Sequence, residues 1–340
     1  MKKQYNFAII GCGHIAQRHA KEASKFGVIL AVCDVIESKA RALAEQYQCR
    51  YYINLDTLLA NEPAVDIISI CTPNYLHAPQ SIQCLENKRH VLCEKPMALN
   101  MADAEKMIQA AKSSDKKLFI VKQNRYNPPV SFVKKLIDNN QLGKIYSFLV
   151  TGFWNRPTEY YHHSDWKGDR IKDGGTVFTQ FSHFVDLINW FFGGVKNAQS
   201  LLSNFAHPDI DFEDTGVVNL EMENGTIGSF NFTVNSYGKN MEGSITIFAE
   251  KGTIKIGGQY LNELEYFLVK NIGKPELPIG NGANNYGFYQ GSMSNHDKIY
   301  ENIIKALEDE NHPFLQGDEA IYTIEIIEKI YNSKNPVSGL

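Results

Sequence analysis

Phe7-Ala8-Ile9-Ile10-Gly11-Cys12-Gly13-His14-Ile15-Ala16 is the stretch that decides the fold. The apolar run Phe7–Ile10 reads as a buried strand and His14 opens a helix, so the glycines occupy a strand-to-helix turn. Gly11 permits the tight turn, Gly13 lets backbone approach a pyrophosphate, and small Ala16 lets the helix pack on the strand. The first helical residues, His14 and Ile15, present free N–H groups and a partial positive charge to the anion. These four positions, Gly11, Gly13, His14 and Ile15, are expected to hold a dinucleotide.

Working outward, strands and helices alternate over the first 120 or so residues with the rhythm of a doubly wound parallel sheet. Val28–Asp34 is a second strand that ends on an acid. Asp34 can accept hydrogen bonds from the adenosine ribose hydroxyls and repels a 2′-phosphate. Val35 and Ile36 supply no arginine to hold one, so NAD is expected rather than NADP. Glu37–Tyr47 is helical, Val65–Cys71 is a strand covered on both faces, and Tyr75–Glu86, His90–Cys93, Met101–Ala111 and Leu118–Val121 continue the pattern. Thr72-Pro73-Asn74 follows the buried strand where the nicotinamide half of the cofactor runs. Thr72, Pro73, Asn74, His77 and Gln123 join the expected cofactor contacts, although Thr72 and Asn74 also suit helix capping. Arg18-His19 on the first helix can face the same crevice.

The chain has 340 residues, 43% hydrophobic and 21% charged, with a net charge of −4. That length implies two domains, expected at residues 1–122 and 123–340. The charge gives no case for nucleic acid or membrane partners. No signal peptide is read at the N-terminus and no apolar run of the roughly 20 residues that span a bilayer. Six cysteines at 12, 33, 49, 71, 84 and 93 show no metal-type spacing. They predict a reduced cytoplasmic protein without a metal.

After Gln123 the texture changes. Asn127-Pro128-Pro129 opens a helix carrying Phe132, Val133, Leu136 and Ile137. Lys144–Trp154 reads as a long strand. Asn224-Gly225 predicts a type I′ hairpin, with positive φ at both residues. Its flanks alternate, Val218, Leu220 and Met222 before it and Phe230, Phe232 and Val234 after it. Ser244–Phe248 and Thr253–Ile256 add strands, and Lys298–Leu307 and Glu319–Tyr331 close the chain as helices. This half is expected to be α+β, on a largely antiparallel open-faced sheet whose second face is left to water or another subunit.

Glu94-Lys95-Pro96 puts a carboxylate and an amine at the carboxyl end of a strand, the edge that borders the ligand crevice in an open parallel sheet. With Cys71-Thr72-Pro73-Asn74-Tyr75-Leu76-His77 and Asp173-Gly174-Gly175…His183…Asp186-Leu187, it resembles the glucose–fructose oxidoreductase / inositol dehydrogenase / MocA family over nearly the whole chain. The resemblance implies an N-terminal Rossmann domain and a C-terminal α/β domain whose open sheet mediates dimers or tetramers. It also implies NAD(P)-dependent redox chemistry at a sugar or cyclitol hydroxyl. Glu94 then resembles a nicotinamide-ribose contact, Lys95 a catalytic residue that touches both cofactor and substrate, and Lys95–Pro96 a cis peptide.

Oxidising a secondary alcohol needs hydride loss from carbon and proton loss from oxygen, and a base that titrates near neutrality serves best. His183 starts closer to neutrality than Lys95. His183 is therefore read as the proton acceptor and Lys95 as the group that orients and polarises the hydroxyl; the reverse assignment is the alternative. Four residues before His183, where many sugar dehydrogenases of the family carry an aspartate, stands Thr179, which can bond a substrate hydroxyl. Asp186 can pair with His183.

Lys122-Gln123-Asn124-Arg125-Tyr126-Asn127-Pro128 and Gly152-Phe153-Trp154-Asn155-Arg156-Pro157-Thr158-Glu159-Tyr160-Tyr161 resemble a narrower group, the bacterial UDP-N-acetylglucosamine and UDP-N-acetylglucosaminuronate 3-dehydrogenases of surface-polysaccharide synthesis. Arg125, Arg156 and Arg170 can fork onto carboxylate or phosphate oxygens. Trp154, Tyr160 and Trp166 can stack on sugar or uracil, and Asn124 completes the expected substrate set. A free-sugar or cyclitol dehydrogenase is the competing enzyme. An NAD-binding regulatory protein without turnover is the competitor of another class, and the presence of both Lys95 and His183 argues against it.

Overall fold

Apolar runs in the first third of the chain build a six-stranded parallel sheet. In the computed structural model, which describes residues 4–162, 164–285, 287, 289–309, 312 and 317–335, its strands are β1 (Tyr5–Ile10), β2 (Gly27–Cys33), β3 (Arg50–Tyr52), β4 (Ile67–Ile70), β5 (His90–Cys93) and β6 (Leu118–Ile120). Their order is β3-β2-β1-β4-β5-β6, with every pairing parallel. Phe7, Ala8, Ile9, Ile67, Ile68, Val91 and Leu92 are buried on both faces, because helices such as His14–Ala23, His77–Glu86 and Met101–Ser114 cover the sheet. The strand order reverses at β1 and β4, and ligands of open α/β sheets bind at such a switch point.

Gly11 sits there with φ +86°. A Cβ on it would lie 2.8 Å from the carbonyl carbon and oxygen of Cys71 and from the Thr72 nitrogen. Backbone cannot give way as a side chain can, so only glycine fits. The sequence reading did not anticipate β3 or the helix Leu55–Asn61. β3 has three residues, two of them exposed, which is too short to show a period. The Leu55–Asn61 helix is capped by Asn54, whose side chain accepts from the Thr57 amide.

The chain forms two compact units. Residues up to Lys122 together with His296–Ile324 make one; Gln123–Asn295 with residues from Glu325 onward make the other. The segment His296–Ile324, expected with the second domain, groups with the first unit. The physical reason is polar: the helix His296–Glu308 supplies His296 and Tyr300 as partners for Glu94 and Ser69, buried groups of the first unit.

The second unit holds an eight-stranded sheet. Its strands are β7 (Ile145–Phe153), β8 (Val195–Ser203), β9 (Thr215–Met222), β10 (Ile227–Thr233), β11 (Glu242–Ala249), β12 (Gly252–Gly257) and β13 (Glu263–Val269), with the short β16 (Lys334–Asn335) on the far edge. The order is β13-β12-β11-β7-β10-β9-β8-β16, antiparallel except at β7/β10 and β8/β16. A separate pair, β14 (Ala283–Asn285) and β15 (Gln290–Met293), is antiparallel.

One face of the large sheet is an aromatic core under the helix Ser182–Phe192. Phe148 stacks on Phe192 with centroids 4.0 Å apart, and Phe181 meets Phe232 at 5.1 Å. Each buried phenylalanine contributes about 1.5–3 kcal/mol. Gly216 leaves room for the Phe232 ring, 2.3 Å from where its Cβ would stand. The other face exposes Tyr146, Leu149, Val217, Ile227 and Phe248.

At the expected type I′ hairpin only Gly225 has positive φ. Asn224 does the turning with its side chain, accepting from the Thr226 amide at 3.0 Å and donating to the Phe192 carbonyl at 3.0 Å. That Asx turn removes the need for a left-handed asparagine. Among the described residues no helix is long and apolar enough to cross a membrane.

The close approach at Gly11 has a direct test. Gly11→Ala is expected to cost about 1–3 kcal/mol of folding stability, read as a lower urea midpoint; an unchanged midpoint contradicts the crowding.

Candidate active site

Functional groups of the first unit gather at the carboxyl ends of its strands. The Gly11 amide donates to the Cys33 carbonyl at 2.7 Å, and the Cys12 amide donates to Asp34 Oδ2 at 2.7 Å. Asp34 Oδ1 accepts from the Ile36 amide at 2.8 Å. The carboxylate that was expected to read a ribose thus also splints the glycine turn, and each of its oxygens keeps a lone pair for a hydroxyl. Val35 and Ile36 beside it are exposed and bring no cation. A Cβ on Gly13 would meet nothing within 4 Å among the described residues. That open cradle at the start of the His14–Ala23 helix suits a pyrophosphate. His14 is exposed and Ile15 half-buried on the first turn.

At the end of β4, the Thr72 hydroxyl donates to Gln80 Oε1 at 2.7 Å. Pro73 and the buried Asn74 lead into a short 3₁₀ turn. His77, expected as a cofactor contact, is corrected: it is buried, with Nδ1 2.6 Å from the Pro96 carbonyl and Nε2 2.9 Å from the Thr72 carbonyl. Both nitrogens face backbone carbonyls, one of which accepts from the single N–H of the neutral ring, so the ring sits between two loops. Burial outweighs the two carbonyls and lowers its pKa below the ordinary imidazole range.

Glu94, expected to contact the ribose, is turned inward. Its Oε1 lies 2.9 Å from His19 Nε2 and 3.1 Å from His296 Nε2, and its Oε2 accepts from the Lys95 amide at 3.1 Å. Burial pushes the carboxyl up, but hydrogen bonds from His19 and His296 outweigh it and hold it well below the usual range. His19, Glu94 and His296 are metal-ligating residue types whose atoms lie within 4.8 Å of one another. At these separations, however, the imidazole N–H groups point at the carboxylate, as hydrogen bonds rather than lone pairs converging on an ion. Lys95, joined to Pro96 by a cis bond, is half-buried beside this group.

In the second unit, His183 is buried on the first turn of the Ser182–Phe192 helix. Its Nε2 lies 3.4 Å from Ser292 Oγ, which also accepts from Gln123 Nε2 at 3.0 Å. Gln123 Oε1 and Asn124 Oδ1 are buried and find no donor among the described residues. An unpaired buried acceptor costs about 1–3 kcal/mol, so both suit a ligand's hydroxyl or amide.

Three substrate expectations are corrected here. Arg125 does not fork onto a ligand: Nε and Nη2 each bond Asp186 at 2.8 Å, with the guanidinium 4.6 Å from the Trp190 centroid. Both oxygens of Asp186 are therefore engaged by Arg125. Trp154 is no stacking platform: it is buried against Phe181, Phe184 and Tyr260. Thr179 turns its hydroxyl to the Asp173 carboxylate, so a neighbouring aspartate supplies a carboxylate beside the position where the family's aspartate was missed.

Arg156 differs from Arg125. It is 2% exposed, and its Nε donates to Gln180 Oε1 at 2.7 Å, its Nη1 to the Asn155 carbonyl at 2.6 Å. Tyr160 and Tyr289 flank it at 5.5 and 5.1 Å. Among the described residues no carboxylate pairs with it. Trp166 is half-buried, and the exposed Arg170 lies over the Tyr331 ring at 5.1 Å. Sequence reasoning missed Ser292, Gln180, His296 and Tyr300, since nothing local marks them.

Comparison with known proteins matches the description "Oxidoreductase family, NAD-binding Rossmann fold" to residues 5–122, and "Oxidoreductase family, C-terminal alpha/beta domain" to residues 134–338. Among solved structures, the chain is similar to the WlbA dehydrogenase of Chromobacterium violaceum in complex with NADH and UDP-GlcNAcA. Identity is 34%, covering 98% of this chain and 94% of that one, with a TM-score of 0.88. The WlbA dehydrogenase of Bordetella pertussis, in complex with the same two ligands, is 32% identical over 97% and 96% of the two chains, with a TM-score of 0.87. A curated relative, the myo-inositol 2-dehydrogenase of Thermotoga maritima, is 27% identical, covering 72% of this chain and 73% of its own.

Open space at Gly13 separates binding from folding. Gly13→Ala is expected to leave the urea midpoint unchanged and to weaken NAD binding at least about tenfold by crowding the pyrophosphate. Unchanged affinity removes Gly13 from the cofactor site.

Proposed function

The chain belongs to the glucose–fructose oxidoreductase / inositol dehydrogenase / MocA family of NAD-binding oxidoreductases, and on that premise we propose that it oxidises the 3-hydroxyl of a UDP-N-acetylhexosamine, UDP-N-acetylglucosamine or its uronic acid, in surface-polysaccharide sugar synthesis. The observation that carries this reading is whole-length similarity to a dehydrogenase whose structure holds NADH and UDP-GlcNAcA. Bound NAD supplies the hydride acceptor, nicotinamide C4.

The chain's own residues manage the rest. The Lys95 ammonium donates a hydrogen bond to the substrate hydroxyl oxygen, orienting it and stabilising the developing alkoxide. His183 takes the hydroxyl proton on its ring, so hydride leaves carbon as proton leaves oxygen and a ketone remains. Gln123 and Asn124, whose buried oxygens find no donor among the described residues, accept from sugar or carboxamide donors. Arg156, buried and paired with no carboxylate among the described residues, offers its charge to the ligand's acidic groups. The relative named for myo-inositol supports the second reading, a cyclitol dehydrogenase.

The same proposal covers setting and assembly. All six cysteines are free thiols, as suits the cytoplasm. The exposed row Leu149, Val217, Ile227 and Phe248 on the open sheet is the surface through which copies of the chain pair into a dimer or tetramer.

Lys95→Ala and His183→Ala are each expected to lower turnover at least about 100-fold while NAD still binds; near-normal turnover in both refutes the assignment. Incubation with UDP-N-acetylglucosaminuronic acid, UDP-N-acetylglucosamine and myo-inositol tests the substrate. A keto-sugar from a UDP-sugar alone is expected, and turnover of inositol alone favours the second reading.

A further inference from the structure

His207 is 6% exposed and stands in the loop between β8 and β9 of the second unit. Its Nδ1 lies 3.2 Å from Asp214 Oδ2 and its Nε2 lies 2.8 Å from the Arg156 carbonyl oxygen. Neither partner can donate. A carbonyl has no proton, and Asp214 is ionised: burial pushes its carboxyl up, but hydrogen bonds from His207 and Asn235 outweigh that and bring its pKa to about 2. A neutral imidazole has one N–H and would set a lone pair against one of these acceptors, whereas the imidazolium donates to both. At His77, which faces two carbonyls, burial wins and the ring is neutral. At His207 the hydrogen bond to a full negative charge outweighs burial and raises the pKa above the ordinary imidazole range.

The loop that carries His207 is tied to itself. Asn204 Nδ2 donates to the His207, Ile210 and Phe212 carbonyls at 2.7, 3.3 and 3.0 Å. Asp214 Oδ2 also accepts from the Phe205 and Ala206 amides at 3.0 and 2.8 Å. Ile210 and Phe212 pack with Tyr160 and Tyr161, and the Tyr161 ring meets His207 edge-on at 5.2 Å. Of the neighbouring acids, Glu213 accepts from Tyr331 and Asp209 pairs with His162, so Asp214 is the carboxylate against the ring. The braced residue reaches the other way: the Arg156 amide donates to the Val234 carbonyl at 2.8 Å, and its guanidinium bonds Gln180, three residues before His183. We propose that His207, braced on Asp214, is a positioning residue that holds Arg156 where its guanidinium meets the ligand's acidic group. The inference rests on the reading of Arg156 as a ligand contact. The brace is whole while His207 carries its proton and weakens as pH rises through the raised pKa.

The test uses full-length protein loaded with NADH, and the affinity for UDP-N-acetylglucosaminuronic acid is read by calorimetry at pH 6 and pH 9. His207→Leu is expected to bind about tenfold more weakly than the parent at pH 6, and the gap is expected to close to within about threefold at pH 9, where the parent has also lost the charged brace. With NAD+, KM is expected to rise while kcat stays within about threefold of the parent. No gap at pH 6, or the same gap at both pH values, overturns the proposal, as does a loss carried by kcat alone. Should His207→Leu fail to fold, His207→Gln, which offers a donor and no charge, is read by the same closing gap. Amide exchange over residues 155–161 is measured at pH 6 without sugar and is expected to be faster in the variant. Equal exchange overturns the positioning role; faster exchange in a protein whose parent binds neither UDP-sugar keeps that role and refutes the substrate reading instead.

Discussion

A buried carboxylate has to be given donors or lose its charge, and in the first unit that requirement is met from three directions at once. Glu94 leaves the end of β5, His19 reaches it from the first helix, and His296 from a helix some two hundred residues further along the chain. Tyr300, one turn beyond His296, carries the bonding on to Ser69 in β4. Sheet, first helix and returning helix are therefore joined around one charge. The same loop continues through Lys95 and Pro96 to the carbonyl that His77 clamps, and His77 in turn holds the end of β4. The residue read as handling the substrate hydroxyl thus stands on a segment anchored on both sides.

The second unit places its residues by different means. Rings from Phe181 and Phe184 pack on Phe230 and Phe232 of the large sheet and fix the helix that carries His183. The Arg125–Asp186 pair locks that helix to the segment bearing Gln123 and Asn124. Removing one partner of a buried pair costs about 3–5 kcal/mol, so this arginine serves positioning. Arg156 sits among aromatic rings with amide and carbonyl acceptors and, among the described residues, pairs with no carboxylate, which is why its charge is read as serving a ligand.

What the sequence shows well is what local pattern encodes. The glycine turn, the acid ending β2, the apolar runs of the parallel sheet and the alternation in β9 and β10 are each fixed by neighbours a few residues away. What it hides is the identity of distant partners. Arg125 has the chemistry of a phosphate fork, and nothing near it in sequence announces Asp186. His19 and His296 lie near opposite ends of the chain and meet only because the C-terminal part of the chain returns to the first unit. At Thr179 the substitution itself was visible, but Asp173 coming alongside was not, because that contact depends on the tight Gly174-Gly175 turn between them. Asn224 shows the same limit on a small scale, since a side-chain hydrogen bond replaced the backbone conformation its residue type favours.

Family membership, an NAD site built at a parallel-sheet switch point and whole-length similarity to dehydrogenases of a nucleotide sugar converge on hydride transfer from a sugar carbon. Isotope transfer reads that step directly. UDP-N-acetylglucosaminuronic acid carrying deuterium at sugar C3 is incubated with the protein and NAD+ for one turnover, and the NADH is analysed by mass spectrometry. The account predicts deuterium on nicotinamide C4. NADH without deuterium, with the label left on the sugar or released to water, would contradict it.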